Sequence, residues 1–147
     1  MKIRIAKEAD IVSLAEFNQA MAFETESRRL DHQRLTDGVT AVFSDPSKGF
    51  YVVAEDAAGS IIGGLLVTTE WSDWRNGWFW WIQSVYVLPD HRGLGIYAKM
   101  YKFVKDAAGD DVCGFRLYVE QENTSAQAVY KKMGMHRLHY DMYEAGK

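Results

Sequence analysis

Val85-Tyr86-Val87-Leu88-Pro89-Asp90-His91-Arg92-Gly93-Leu94-Gly95-Ile96 decides how this chain is read. Its first residues form a continuous apolar run, the mark of a strand covered on both faces. A short basic turn with two glycines follows. From Ile96 the apolar positions Ile96, Met100, Phe103, Val104 and Ala107 recur with helical spacing. A strand–turn–helix junction aims free backbone N–H groups and the positive end of a helix dipole at one spot, which suits a phosphate. Gly93 and Gly95 let the backbone approach an anion without a Cβ in the way, and Arg92 adds a fixed charge. Taken alone, glycines at this spacing also fit an ordinary turn between a strand and a helix.

Working outward, residues 77–88 are apolar on both alternations and read as a central strand. Residues 50–55 and 60–69 flank a turn and make a hairpin ahead of it. Residues 2–6 alternate as a first strand, residues 8–22 read as an amphipathic helix, and residues 31–44 read as a second, with 24–31 a polar break between them. After the glycine turn come a strand over 112–119, a helix over 125–133 and a final strand over 135–144. This order predicts an α/β fold with a mixed, mostly antiparallel sheet.

Composition bounds the rest. The 147 residues suit one domain, 1–147, with a substantial core. A net charge of −3 without a basic stripe argues against nucleic acid as a partner. The lone cysteine, Cys113, lies in an apolar run and reads as a structural thiol. No apolar run approaches the ~20 residues that span a bilayer, so neither a membrane partner nor an export signal is expected, and a cytoplasmic location is. Nothing in the sequence asks for a metal.

A second motif gives the first its meaning. Asn123-Thr124-Ser125-Ala126-Gln127-Ala128-Val129-Tyr130 leads to a helix end at Gly134 and Met135. Together, in this order and spacing, the two stretches resemble those of the GNAT superfamily of acyl-CoA-dependent N-acetyltransferases. Arg92 and Gly95 match that family's coenzyme A loop, whereas Tyr97 stands where the family usually has Gly or Ala. Between Trp71 and Tyr97 the chain is similar to members that act on small amines such as polyamines. The resemblance implies a single-domain GNAT fold, with a six- to seven-stranded sheet and helices on both faces. It also implies acetyl-CoA as co-substrate and direct attack by an amine in a ternary complex.

Carried onto this chain, the resemblance lays Ser84, Val85 and Val87 along the pantetheine arm. It places the backbone of Arg92, Gly93, Leu94, Gly95, Ile96 and Tyr97 around the pyrophosphate. An arm that adds to a strand needs backbone donors rather than particular side chains. Tyr130 matches a tyrosine that faces the cofactor sulfur; a phenol with pKa near ~10 stays protonated and can donate to a departing thiolate. Tyr130 also fits the packed face of an amphipathic helix. Asn123 either caps that helix, contacts the pantetheine, or both.

The general base is less legible. The strand position where polyamine-type relatives often carry glutamate is Gln83, whose amide cannot accept a proton. Glu26 and Glu70 are the expected bases, among carboxylates that include Glu24, Asp31 and Asp73 and that each read equally as solvated surface. Glu24, Glu26, Trp71 and Gln83 are expected to border the acceptor, whose surroundings favour a cationic small amine. Trp71 and Trp74 flank a polar turn, where they can wall a pocket, contact a cation or bury an interface; a homodimer is expected on the last ground. A non-catalytic acyl-CoA-binding domain and a protein N-acetyltransferase are the competing readings.

Overall fold

The computed structural model describes residues 1–147, which divide into two compact units, Met1–Leu117 and Tyr118–Lys147. The first unit holds a five-stranded sheet in the order β1 (Lys2–Ile5), β2 (Phe50–Glu55), β3 (Ile61–Ser72), β4 (Gly77–Val87), β5 (Val112–Arg116). The first four strands pair antiparallel and β5 runs parallel to β4. Helices α1 (Ile11–Glu26), α2 (His32–Ser44) and α3 (Ile96–Ala107) complete this unit.

Two neighbouring residues of β3 show that helices cover both faces of the sheet. A Cβ on Gly63 would stand 3.5 Å from the Ile96 side chain of α3, and one on Gly64 would stand 3.0 Å from Leu14 of α1. Successive residues of a strand point to opposite faces, so the missing side chains let a helix settle closely on each. On the α1 and α2 face, Leu14, Ala15 and Val39 pack on Tyr51 and Val53. On the other, Ile96, Met100 and Val104 of α3 are buried. Arg4 ties the edge together: its guanidinium meets Asp10 at 2.8 Å and Glu55 at 2.6 Å, and the Asp10 carboxylate also accepts the Lys7 backbone N–H at 2.7 Å.

Three differences from the sequence-based reading bear on the architecture. α1 runs on to Glu26, because Ser27 adopts φ 51° and its N–H bonds back to Phe23. A left-handed C-cap is usually glycine, so the extra turn is silent in the sequence. The hairpin strand β3 continues to Ser72, paired through Trp71 with Trp78. The third difference is a correction of strand number. The second unit carries helix α4 (Thr124–Lys132), but residues 135–144 form no strand, which leaves five where six or seven were expected. Leu138, Tyr140 and Met142 do alternate, yet they are 43%, 79% and 67% exposed. Alternation says which face a strand would bury; it does not provide the ladder partner that makes a strand.

Candidate active site

β4 reaches its turn through a bulge. Leu66 pairs with Gln83 and Gly64 with Tyr86, so Leu65 faces both Ser84 and Val85. Ser84 absorbs the extra residue with φ 50°, in the left-handed region that non-glycine residues rarely enter. A bulge leaves backbone groups outside the ladder and re-aims the chain. Beyond it, the short turn Pro89–His91 leads into Arg92, and Gly93 and Gly95 adopt φ 78° and 76°. A Cβ at either would meet nothing within 4 Å. Glycine is therefore required by the backbone conformation, and the space over the turn is open. Positive-φ residues turn successive N–H groups into one concavity. The 12-residue α3, with Gly95 as its N-cap, adds the positive end of its dipole. This donor set is chemically suited to a diphosphate, and the freed edge at Ser84 and Val85 to an amide-bearing arm.

The side chains around the turn point elsewhere. Leu94 is 65% exposed. The Tyr97 ring stacks on Tyr101, centroids 6.2 Å apart, along α3. His91 borders a cavity of about 300 Å³ with Leu94, Ile96 and Lys99, and its Nδ1 is buried without a hydrogen-bond partner.

Arg92 folds back rather than forward. Its Nε donates to the Val87 carbonyl at 2.9 Å, its Nη2 donates to Glu24 Oε2 at 2.9 Å, and its guanidinium lies 5.2 Å from the Tyr86 ring centre. Tyr86 donates its hydroxyl to the other oxygen of Glu24 at 3.0 Å. Burial first, and then the Glu24 carboxylate, push the Tyr86 phenol above its ordinary value. The α1 extension places Glu24 here, in the last turns of that helix. Tyr86 had no functional reading in the sequence; the signal was a hydroxyl set in a strand bound for the core, which needs a partner once buried.

Glu26, at the very end of α1, is exposed and 3.3 Å from Arg28. Gln83 donates its amide to Thr68 Oγ1 at 2.5 Å, so its carboxamide is already oriented. Glu70 is set apart. It pairs in register with Phe79, which puts it about 16 Å along the strand from Ser84 at ~3.3 Å per residue. Its Oε1 accepts from Trp81 Nε1 at 2.9 Å and from Arg116 at 3.1 Å, and Arg116 crosses the Phe79 ring at 3.6 Å to reach it. Both of these partners, Trp81 and Arg116, lie in this part of the sheet, away from the bulge at Ser84. Trp71, 49% exposed, packs edge-on against Trp78, and Trp74 is 92% exposed at the hairpin tip.

In the second unit Asn123 caps α4, its Oδ1 accepting the Ala126 N–H at 3.2 Å. Tyr130 lies on the same helix, and burial raises its phenol above the ordinary value. It is held in the protonated form at neutral pH.

A model of the acetyltransferase (GNAT) family matches residues 10–135, from the start of α1 past the end of α4. The chain belongs to the GNAT family. It is similar to the L-amino acid N-acyltransferase MnaT of Escherichia coli strain K12, at 28% identity over 91% of this chain and 78% of that one. It is also similar to the thialysine N-epsilon-acetyltransferase of Mus musculus, at 29% identity over 93% and 85%. Among solved structures, a possible acetyltransferase from Clostridium difficile 630 is 40% identical, superposes with a TM-score of 0.91, and is covered over 97% of its length by 99% of this chain. The protein is an N-acetyltransferase of this GNAT group. No helix in it is long and apolar enough to cross a membrane.

Proposed function

We propose that this GNAT enzyme moves the acetyl group of acetyl-CoA to a small cationic amine by direct attack, within one N-acetyltransferase domain spanning residues 1–147. The observation that carries the cofactor reading is the open cradle of Gly93 and Gly95 at the start of α3, reached from a strand bulged at Ser84. Acetyl-CoA, when bound, supplies the acetyl group and a thiolate leaving group. The N–H groups of residues 92–97 hold its diphosphate, and the backbone of Ser84, Val85 and Val87 holds the arm. The family resemblance assigns Asn123, which caps α4, a contact to the arm. The same resemblance assigns Tyr130, a phenol that is protonated at neutral pH, the transfer of its proton to the departing sulfur. An amine arriving as a cation must lose a proton before attack, and Glu26 takes it directly or through water. Gln83, fixed by Thr68, orients the amine, and Trp71 borders it.

Support for a cationic acceptor comes from the carboxylates that end α1, Glu24 and Glu26. The two named relatives act, by their names, on amino acids and on thialysine, small molecules that carry an amine. Support for a homodimer comes from Trp71 and Trp74, both exposed around the turn between β3 and β4, since aromatic residues are enriched at interfaces. A cytoplasmic location accords with one cysteine left free. The test is a screen of small amines and polyamines against acetyl-CoA with detection of released thiol. Cationic amines are expected to turn over fastest. Release only with acidic or neutral peptides would overturn the small-amine reading.

A further inference from the structure

Glu24 stands between the two halves of the site. One of its oxygens is held by Tyr86 and the other by Arg92, the residue that opens the glycine turn. Neither member of the ion pair is sealed off, since the Arg92 and Glu24 side chains keep 47% and 38% of their exposure. In this state the guanidinium spends its charge on α1 and on the Val87 carbonyl, and Glu24 has its charge already balanced.

Resting on the cofactor reading above, we propose that the Arg92–Glu24 pair is a latch which couples the two substrates. The diphosphate draws Arg92 off Glu24, and the carboxylate so released becomes the counter-ion of the incoming amine. The competition follows from charge and geometry. A diphosphate offers two negative groups to a planar donor fork where Glu24 offers one oxygen. The glycine turn and the α3 dipole draw the same anion to the residue next in sequence to Arg92. While Arg92 is latched, a cation near Glu24 finds a neutralised partner. Once Arg92 has left, it finds an exposed carboxylate steadied by the Tyr86 hydroxyl. Coupling of this kind is reciprocal, so each substrate tightens the other by the same factor.

The test is titration of CoA into the full chain by calorimetry, for wild type, Glu24→Gln, Arg92→Gln and the double variant. Removing the charge of Glu24 frees Arg92, so Glu24→Gln is expected to bind CoA about two- to fivefold more tightly, the equivalent of an exposed ion pair. Arg92→Gln is expected to bind CoA more weakly, and in the double variant the gain from Glu24→Gln disappears. In steady state, with the amine that releases thiol fastest, Glu24→Gln is expected to lower KM for acetyl-CoA and raise KM for the amine. A residue that merely braced the loop would move both the same way. Equal or weaker CoA binding by Glu24→Gln, or KM shifts of one sign, overturns the latch. Failure of the wild type to bind CoA at all would instead overturn the cofactor reading.

Discussion

Gly95→Val separates the backbone's need for glycine from the ligand's. Gly95 has φ 76° and no atom within 4 Å of where a Cβ would stand. The folded chain therefore meets no clash, only the strain of a left-handed L-residue, about 1–2 kcal/mol. At about 3–4 °C per kcal/mol for a chain of this size, the ligand-free melting temperature should fall by about 3–8 °C. The branched side chain would occupy the open space over the turn. CoA at ~100 times its Kd stabilises a native protein by about 2.7 kcal/mol, which corresponds to about 8–11 °C for the wild type. Differential scanning fluorimetry with and without CoA reads both quantities at once. We expect the variant to show the small fall without ligand and no rise with it. A full CoA-induced rise in Gly95→Val would refute the argument that the diphosphate sits in this turn.

Five other changes probe different parts of the molecule. Tyr130→Phe should lower turnover on the order of 10²–10⁴-fold while leaving CoA affinity nearly intact; a wild-type rate would make Tyr130 a packing residue only. In pH–rate profiles, Glu26→Gln should remove most activity near neutrality with recovery at higher pH. Glu70→Gln, on β3 at the end away from the glycine turn, should leave the profile unmoved. Asp10→Asn tests the Arg4 clamp: burial alone would raise the Asp10 carboxyl, but the Arg4 guanidinium and the Lys7 N–H hold it below 3.8. That stabilisation is present above the unfolded value and lost as pH falls through the folded one. The variant should thus lose about 2–3 kcal/mol near neutrality and show a flatter acid limb in denaturant titrations. Trp74→Ala should convert a dimer to a monomer in light scattering, with an unchanged mass counting against the tryptophan interface.

The glycine turn was legible because its chemistry is local: Arg92, Gly93 and Gly95 carry their conformational preferences wherever they stand. The strand before it was legible as buried but not as bulged. Gln83 and Tyr86 stand opposite Leu66 and Gly64, on one face of the sheet though three residues apart, a change of phase hidden in a run apolar on both alternations. The end of α1 was misplaced by a few residues, since Ser27 closes it in a conformation that serine seldom announces. The extra turn matters, because it sets Glu24 on a helix end facing Tyr86 and Arg92. The tie between Glu70 and Arg116 joins strands that are not neighbours, across the ring of Phe79, and no spacing rule along one chain reveals such a contact. The 135–144 segment shows the opposite error, where a real alternation met no strand to pair with.

The adjacent glycines of β3 have a mechanical meaning. Gly63 and Gly64 are the pinch where α3 and α1 press on the sheet from either side. Each helix has an end that belongs to chemistry: α3 begins at the glycine turn, and α1 finishes with Glu24 and Glu26. From Leu14, which touches the pinch, to Glu24 the helix extends about 15 Å. A methyl group at position 64 would have to wedge against Leu14 at 3.0 Å, and the lever of α1 would magnify that tilt at its tip. A residue with no side chain, distant from every reacting atom, thereby sets the gauge between a carboxylate and an arginine on opposite banks of the site.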